Sequence, residues 1–391
     1  MSIFPGGLPR ARELLRVHFG YPVLRVHQIR VLGSLFTGRS VLAVLPTGAG
    51  KSLCYQLPAL MADGLTLVIS PLVALMQDQV AALRRRGLPA AYVNTLLSPE
   101  HRRAVLAAVS AGTVRLLYCA PERLASLAPR LRTAGVRVAF LAVDEAHCIV
   151  EWGNEFRPVY QRLGQYRYLF GNPVTLAVTG SATPDTRAEI VRVLRVPDAE
   201  LIITSFDRPN LVFLVQRVRD DRERFAEVRR LVRHAPGHTV LYAPTRRLTE
   251  LVARALLRAG VAAAPYHAGL LPETRRQLLV DFLHDRVPVM VATSAFGMGI
   301  DKPDVRRVIH WGPPATLEAY YQEAGRGGRD GARAECTILW KAADFTWADR
   351  DPAMRRYVQA RLCRRRMLLE YFGETGVRCG GCDRCGVGIR D

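Results

Sequence analysis

One short glycine-containing segment constrains the fold of this chain more than any other feature. Residues 46–52 read PTGAGKS; they directly follow the apolar run Val41–Leu45, and a helix-compatible run follows them. Glycines let several backbone N–H groups converge on one anion, and the N-terminus of a following helix adds a partial positive charge. The segment therefore predicts a phosphate-binding loop between a buried strand and a helix.

The side chains of this loop suit a nucleoside triphosphate with its metal ion. Lys51 can reach the β- and γ-phosphates, and the Ser52 hydroxyl can ligate Mg²⁺. The general sequence pattern of such phosphate-binding loops has glycine at the position of Leu45. A glycine-rich turn formed by chance is the alternative. The residues expected to contact the nucleotide in this loop are Thr47, Gly48, Gly50, Lys51 and Ser52.

Two adjacent acids end a second apolar run farther along the chain. Asp144 and Glu145 follow Val138–Val143 directly. Asp144 can hold Mg²⁺ through water, and Glu145 can polarise the water that attacks a γ-phosphate. A solvated turn is the alternative for such a pair on its own. Its place downstream of a phosphate-binding loop favours a site that hydrolyses ATP.

Short apolar runs alternate with amphipathic stretches through most of the chain, which is typical of parallel sheets with helices on both faces. The pattern pauses near Pro197 and Pro209 and then restarts; from about Asp344 it becomes helical and basic. We expect two α/β lobes in tandem, 1–207 and 208–342, and a small helical segment, 343–391. The predicted strands are Val41–Leu45, Thr66–Ser70, Val114–Cys119, Val138–Val143, Val174–Thr179, Thr239–Ala243, Ala262–Tyr266, Val287–Thr293, Val305–Trp311 and Glu335–Trp340.

The chain carries a large positive charge. Its formal net charge is +20, with 55 Lys and Arg against 35 Asp and Glu residues. An excess of this size is typical of proteins with a polyanionic partner, above all nucleic acid. GC-rich codon usage is the alternative, because nearly all of the basic residues are arginine.

No apolar run is long enough to span a membrane, and Met1–Arg16 lacks a secretory leader, so we expect a soluble cytoplasmic protein.

The eight cysteines divide into two groups. Four stand singly among apolar residues, as buried free thiols do; the other four crowd the end of the chain. In a cytoplasmic protein such crowding indicates a metal site before disulfides, and a closed tetrahedral zinc site takes four ligands. Unligated thiols or an iron–sulfur cluster are the alternatives. The expected zinc ligands are Cys363, Cys379, Cys382 and Cys385.

Longer strings place these motifs in a known family. DEAH at 144–147 together with PTGAGKS marks superfamily 2 helicases, and nearly the whole chain resembles the RecQ family of DNA helicases. The strings that carry the resemblance are FGY at 19–21, LRVHQ at 24–28, SPLVALMQDQV at 70–80, SFDRPN at 205–210, AFGMGIDKP at 295–303, YYQEAGRGGRDG at 320–331 and CRRR at 363–366.

The resemblance implies two RecA-like lobes and an adenine site in front of the phosphate-binding loop. Gln28 would read the adenine edge, while Tyr21 and Arg25 would sandwich the ring, a pair that suits stacking and cation–π contact. Asp301 would contact the ribose.

The resemblance also implies an arginine finger in the second lobe. Arg329 would reach the γ-phosphate and stabilise charge in the transition state, so that hydrolysis depends on lobe closure. Arg326 and Gln322 would support it. A solvated Gly-Arg loop is the alternative for the two arginines.

The segment 148–160 directly after the acid pair is rich in aromatic residues. Aromatic faces with arginine suit stacking on unpaired bases, and the segment resembles the loop that links single-strand binding to hydrolysis in RecQ enzymes, although Asn154 stands where histidine is common. Packing into the core is the alternative, above all for Tyr160. The residues expected to couple DNA to hydrolysis here are His147, Trp152, Phe156 and Arg157.

Residues 179–183, TGSAT, resemble motif III, whose hydroxyls connect the nucleotide site to the other lobe, with Gly180 and Ser181 departing from the usual text. Ser181 and Thr183 would carry this role. A plain cap of the following helix is the alternative.

The function implied is an ATP-dependent 3′-to-5′ DNA helicase of repair and recombination, associated with the bacterial nucleoid. It would use ATP, Mg²⁺ and Zn²⁺, act on single-stranded and tailed duplex DNA, and work as a monomer. A DNA-stimulated ATPase that translocates or remodels nucleic acid without separating strands is the alternative. An RNA helicase of the DEAD-box kind is a weaker one, because the RecQ strings argue against it.

Overall fold

The computed structural model of the protein describes residues 3–46, 48–151, 157–233, 235–297, 302–345 and 351–386. The chain forms two compact units, Met1–Ser205 and Phe206–Asp391. Within the described ranges no helix combines the length and the apolar character needed to cross a membrane.

The first unit is built on a sheet of seven parallel strands in the order β3-β4-β2-β5-β6-β1-β7. The sheet is buried on both faces: in β1 the side chains of Val41 and Ala43 join one apolar cluster and Leu42 joins another. This double burial explains why the strands read as continuous apolar runs. The strands are β1 Val41–Val44, β2 Leu65–Ile69, β3 Ala90–Val93, β4 Leu116–Cys119, β5 Val138–Val143, β6 Val174–Thr179 and β7 Glu200–Ile203.

Helices cover both faces of this sheet. Two of them, α5 and α9, begin at a serine or threonine whose hydroxyl accepts a backbone N–H of the first turn, as Ser98 does from His101 at 3.3 Å. The helices are α1 Gly7–Leu14, α2 Val26–Phe36, α3 Leu53–Met61, α4 Val73–Arg85, α5 Pro99–Ser110, α6 Leu124–Thr133, α7 Cys148–Glu151, α8 Leu163–Leu169 and α9 Pro184–Leu194, with a π-helical turn at Leu15–Phe19 and 3₁₀ turns at Pro121–Arg123 and Pro158–Arg162.

The second unit contains a parallel sheet of six strands within its described residues, in the order β10-β11-β9-β12-β13-β8. Helices α10 and α11 pack onto it through an apolar cluster that includes Leu231, Leu241 and Leu256. The strands are β8 Leu211–Arg217, β9 His238–Tyr242, β10 Ala263–Tyr266, β11 Val289–Ala292, β12 Val305–His310 and β13 Ala334–Trp340. The helices are α10 Asp221–Arg233, α11 Arg246–Arg258, α12 Pro272–Leu283, α13 Leu317–Ala324, α14 Pro352–Gln359 and α15 Arg364–Tyr371, with a 3₁₀ turn at Ala342–Phe345.

The predicted fold class is confirmed, and each of the ten predicted strands overlaps an observed one. Three strands were missed. β3 and β7 are four residues long and lie at the edges of their sheet, and β8 follows Pro209, where the alternating sequence pattern pauses. The two units divide between Ser205 and Phe206. The finer boundaries, 208–342 and 343–391, stay predictions.

Candidate nucleotide and metal sites

Parallel pairing brings the predicted hydrolytic motifs to one edge of the first sheet. Strands β5, β6 and β1 are neighbours, so their carboxyl ends meet at the same edge. The phosphate-binding loop follows β1, the acid pair follows β5, and residues 179–183 end β6. Ligands of open α/β sheets bind in the crevice outside the carboxyl ends of the strands, which makes this edge the candidate nucleotide site.

The phosphate-binding loop adopts a backbone that its glycines make possible. Gly48 and Gly50 have φ angles of 82° and 76°, a left-handed conformation that costs little without a Cβ. The Lys51 Nζ donates to the carbonyl oxygen of Leu45 at 3.4 Å, so its ammonium folds back along the loop. Ser52 stands at the N-cap of α3. Thr47 lies outside the described residues.

The segment at the start of α2 holds this loop by its carbonyl oxygens. Arg25 Nη1 donates to Gly48 O at 2.6 Å, and the buried Gln28 Nε2 donates to Gly50 O at 3.3 Å. His27, which the sequence did not single out, places Nε2 2.8 Å from Ala49 O. Tyr21 is 51% exposed. The structure therefore brings Arg25 and Gln28 onto the loop, whereas Asp301 lies outside the described residues.

Asp144 is buried against α3, the helix that follows this loop. The Tyr55 hydroxyl donates to Asp144 Oδ2 at 3.1 Å, and the Glu145 N–H donates to Asp144 Oδ1 at 3.0 Å. Burial and the neighbouring Glu145 carboxylate raise the pKa of Asp144 to about 6, while Lys51 opposes the shift. A buried carboxylate beside a second one favours a cation, and hard oxygen donors are the ligands that Mg²⁺ prefers. Asp144 and Ser52 therefore fit the predicted magnesium site.

Glu145 and His147 continue this arrangement toward β6. Glu145 has a φ of 48°, a left-handed conformation that is rare outside glycine and concentrated at functional sites. The His147 Nδ1 lies 3.4 Å from a Glu145 carboxylate oxygen and 2.8 Å from Thr179 Oγ1. The Thr179 hydroxyl lies 2.9 Å from Ser181 O. One chain of polar contacts thus joins the acid pair to residues 179–183.

Thr179 contacts the candidate site, and the sequence prediction did not select it. A hydroxyl at the end of a strand beside the acid-bearing strand was the available signal, but only the order of the strands pairs it with His147. Thr183 accepts the Thr186 N–H at 3.2 Å and caps α9. Its coupling role, like that of Ser181, stays a prediction.

The aromatic segment is described in part. Arg157 Nη1 donates to Pro71 O at 2.9 Å, and its Nε lies 3.3 Å from a Glu122 carboxylate oxygen. Tyr160 is fully buried in the apolar core, so the core-packing alternative holds for this residue. Trp152 and Phe156 lie outside the described residues.

In the second unit, the arginines at 326 and 329 lie on the loop after α13. Arg326 is buried, and its side chain contacts the buried Tyr242 hydroxyl. Burial raises the pKa of Tyr242, and the positive charges of Arg326 and Arg329 act against this rise. The backbone of the loop is held by Arg208, whose Nη2 donates to Gly328 O at 2.9 Å. Gln322 lies on α13 itself.

The four cysteines at the end of the chain converge, as predicted. Their Sγ atoms all lie within 4.8 Å of one another, with 3.6 Å between Cys379 and Cys382 and 3.9 Å between Cys382 and Cys363. A tetrahedral site with Zn–S bonds of ~2.3 Å requires sulfur atoms ~3.8 Å apart, whereas a disulfide requires ~2.05 Å. The cluster therefore has the spacing of a structural zinc site.

The surroundings of Cys382 favour the thiolate that zinc needs. Burial raises its pKa, but backbone N–H groups of Arg364, Arg384 and Cys385 outweigh burial and lower the pKa to about 7. Arg364 Nε also donates to Asp383 at 3.1 Å, and Arg365 hydrogen-bonds Asp207 and the carbonyl oxygen of Arg208. The buried arginines of α15 thus fix the cluster to the start of the second unit.

A further group of possible ligands, His238, Asp285 and Asp304, has a different explanation. The ammonium of Lys302 pairs with both carboxylates, at 3.0 Å from Asp304 Oδ1, and His238 Nδ1 lies 3.0 Å from Asp304 Oδ2. Since the lysine already supplies a positive charge, this group is an internal ion-pair network.

Family models match three successive parts of the chain. They are the DEAD/DEAH box helicase model at residues 25–191, the helicase conserved C-terminal domain at 223–331, and the RecQ zinc-binding model at 350–386. The third range contains all four cysteines of the cluster.

Curated relatives align with almost the whole chain. The ATP-dependent DNA helicase RecQ of Haemophilus influenzae is 38% identical over 96% of this chain and 64% of its own length. The enzyme of the same name from Bacillus subtilis is 39% identical over 97% and 67%, and that of Synechocystis is 42% identical over 88% and 74%. The chain thus spans less than two thirds of the Haemophilus influenzae relative.

Two solved structures share the fold. The DUF1998 helicase MrfA bound to DNA has a TM-score of 0.73 at 20% identity, covering 88% of this chain and 52% of that one. The helicase Lhr of Mycobacterium smegmatis bound to ssDNA and AMP-PNP has a TM-score of 0.67 at 22% identity, covering 88% and 49%. At identities this low, the similarity shows a shared fold only.

Proposed function

Since this chain belongs to the RecQ family of helicases, we propose that it uses ATP hydrolysis to move 3′-to-5′ along single-stranded DNA and to separate duplex strands. In the proposed reaction, Lys51 and the loop N–H groups hold the phosphates and Glu145 takes a proton from the attacking water. Ser52 and Asp144 would hold a Mg²⁺ ion, which would supply positive charge next to the phosphates. Arg329 would stabilise the transition state.

The observation that carries this proposal is the chain of contacts at the carboxyl edge of the first sheet. Asp144 and Glu145 stand beside a loop built for phosphates, and His147 joins them to Thr179 at 2.8 Å. A site that only bound a nucleotide would not need an acid pair tied to a neighbouring strand. His147 Nε2 also lies 3.9 Å from a carboxylate oxygen of Glu151, in the described part of the segment 148–160, and this contact supports coupling of hydrolysis to DNA.

The rest of the proposal concerns the bound metal, the oligomeric state and the cellular location. The four-cysteine cluster would hold one structural zinc, because four thiolates leave no open position for catalysis. We further propose that the protein acts as a monomer in the cytoplasm, at the nucleoid, in repair and recombination.

An unwinding assay tests the proposal. Duplexes with a 3′ tail, a 5′ tail or no tail are incubated with ATP and Mg²⁺, and we expect strand separation of the 3′-tailed duplex alone. Lys51→Ala is the control: it removes the phosphate contact, so unwinding is lost while single-strand binding stays.

Two other outcomes change the conclusion. Hydrolysis stimulated by single strands without strand separation would identify a translocase or remodelling ATPase. Stimulation by RNA with no response to DNA would point to an RNA helicase and contradict the proposal.

A further inference from the structure

The second unit begins with a short segment that contacts the loop after α13. We call residues 206–210, which precede β8, the entry segment. Residues 325–330, which follow α13 and carry Arg326 and Arg329, are called the arginine loop. The two segments are far apart in the chain, yet hydrogen bonds join them directly. The position of the arginine loop therefore depends on the entry segment.

The guanidinium of Arg208 holds the arginine loop by its backbone. The three acceptors are the carbonyl oxygens of Gly328, Gly327 and Gly325, at 2.9, 3.0 and 3.5 Å. A guanidinium presents its donors in a rigid planar fork, so several acceptors on one arginine fix the course of a backbone segment. The accepting carbonyl groups stand directly before Arg326 and directly before Arg329. Arg208 can thus set where these two side chains start.

Close packing leaves the arginine loop little freedom to move independently of the entry segment. Asn210 Nδ2 donates to Gly328 O and to Ala332 O, both at 2.8 Å. On the other side of the loop, the Gly328 N–H donates to Val305 O at 2.8 Å. A Cβ atom on Gly328 would lie 2.4 Å from Asn210 Nδ2 and 2.3 Å from Ala332 O. A displacement of the entry segment would therefore displace the loop as well.

The end of the chain holds the entry segment in turn. The Phe206 N–H donates to Glu374 Oε2 at 2.7 Å, a charge-assisted hydrogen bond that is stronger than one between neutral groups. The Phe206 ring stacks on the buried Phe372 ring, with centroids 4.8 Å apart and planes 14° apart. The buried Arg365 donates to Arg208 O at 2.8 Å. Residues around α15 thus fix the backbone from which the Arg208 side chain extends.

Helix α13 holds the same segment from its other side. The Tyr321 hydroxyl donates to Phe206 O at 2.9 Å, and the Tyr321 ring lies 4.8 Å from that of Phe372 and 5.9 Å from that of Phe206. The peptide groups on both sides of Phe206 are therefore bound by side chains, one from α13 and one from the end of the chain. Since α13 leads into the arginine loop, the contacts form a closed circuit.

We propose that Arg208 is a positioning residue for ATP hydrolysis, which places the arginine loop, and that Glu374 holds the segment from which Arg208 acts. The inference rests on the proposed role of Arg329 in stabilising the transition state. A donor to developing charge must be held in place before the reaction, and a misplacement of ~1 Å can cost ~10²-fold in rate. Arg208 contacts the backbone of the loop and acts through Arg329.

A double-mutant cycle of Arg208→Ala and Arg329→Ala tests this inference. The kcat and KM for ATP are measured at saturating oligo-dT, and a melting curve of each variant verifies folding. Arg233→Ala is the matched control, because it removes another arginine-to-carbonyl hydrogen bond of the second unit, from Arg233 Nη2 to Ala259 O at 3.2 Å.

We expect Arg208→Ala to lower kcat by ~10–10²-fold and to leave KM for ATP within about twofold of wild type, as for an interaction made in the transition state. In the Arg329→Ala background the same change should lower kcat no further, because the side chain that Arg208 positions is already gone. The control should hydrolyse ATP like the wild type.

A second pair of variants tests the part of Glu374. Glu374→Gln keeps an oxygen that can accept the Phe206 N–H, whereas Glu374→Ala removes it. We expect Glu374→Ala to lower kcat by roughly tenfold and Glu374→Gln to recover most of the loss, with the metal content of both variants equal to that of the wild type. Equal kcat of Glu374→Ala and wild type would overturn the inference.

Three results of the cycle would also overturn it: losses that multiply in the double variant, a lower melting temperature of Arg208→Ala with unchanged kcat, or a reduced affinity for oligo-dT that accounts for the lower rate. Failure of the proposed function looks different. A wild-type protein without DNA-stimulated hydrolysis rejects both, whereas a protein that unwinds 3′-tailed duplex equally well with Arg208→Ala rejects the positioning role alone.

Discussion

At the scale of single residues, Glu145 is the proposed general base. A carboxylate oxygen of Glu145 lies 3.4 Å from His147 Nδ1, its backbone N–H donates to Asp144 Oδ1 at 3.0 Å, and its backbone is held in a left-handed conformation. Such a conformation persists when the surrounding structure enforces it, so the geometry points to a required orientation of this side chain.

We expect Glu145→Gln to keep ATP binding and to lower kcat by ~10²–10⁴-fold, since the amide preserves shape but cannot accept the proton of the attacking water. Steady-state hydrolysis with and without single-stranded DNA measures the effect, and a fluorescent nucleotide analogue measures binding. Turnover that stays within about twofold of wild type would rule out Glu145 as the general base.

The contact between His147 and Thr179 offers a second residue-scale prediction. Thr179→Val keeps the shape and removes the hydroxyl, leaving the buried His147 Nδ1 without this partner, at a cost of about 1–3 kcal/mol. We expect a lower melting temperature and a lower ratio of DNA-stimulated to basal hydrolysis. Thr179→Ser restores the hydroxyl and is the matched control. Equal behaviour of the two variants would show that the hydroxyl contact has no role.

At the scale of secondary-structure elements, α15 and the cysteine cluster depend on one another. The helix begins directly after Cys363, and its buried Arg364 and Arg365 connect Asp383 with the residues before β8. A structural zinc contributes to folding because the unfolded chain has no preformed site. The metal should therefore stabilise the whole end of the second unit.

Elemental analysis should find one zinc per chain, and Cys382→Ser should abolish it and lower the soluble yield, since a tetrahedral site then lacks a ligand. Cys119→Ser is the matched control, because Cys119 is buried in the first unit, where its thiol contacts Ala120 O; this variant should retain its zinc. Iron in place of zinc, or zinc retained after Cys382→Ser, would contradict the assignment.

At the scale of the whole molecule, the formal net charge of +20 makes association with any polyanion sensitive to salt. A single strand that contacts several phosphate-binding residues releases condensed counterions, so the logarithm of affinity falls linearly with the logarithm of salt concentration.

We expect the affinity for single-stranded DNA to fall steeply with salt, with a slope of about −0.7 for each phosphate contacted. A titration series from low to physiological ionic strength measures this slope. An affinity that does not change with salt would mean that the arginine excess reflects codon usage rather than a nucleic-acid partner.

The sequence by itself determined the features that depend on neighbouring residues. The loop at 46–52, the acid pair at 144–145 and the apolar strands are local patterns, and each was predicted at the place where the structure has it. The cysteine set was also predictable, because three of its members lie within seven residues and a tetrahedral site needs a fourth. Short edge strands such as β3 were not predicted, since a run of four residues is too short to show a hydrophobic pattern.

Only the tertiary structure decided which of these features meet. The order β5-β6-β1 places Thr179 beside His147, folding of α2 over the loop places His27 on Ala49 O, and the packing of the entry segment against α13 and the end of the chain places Arg208 on the arginine loop. The physical reason is that such contacts join residues far apart in the chain. Local propensity fixes the elements, whereas burial of their apolar faces against one another fixes which side chains become neighbours.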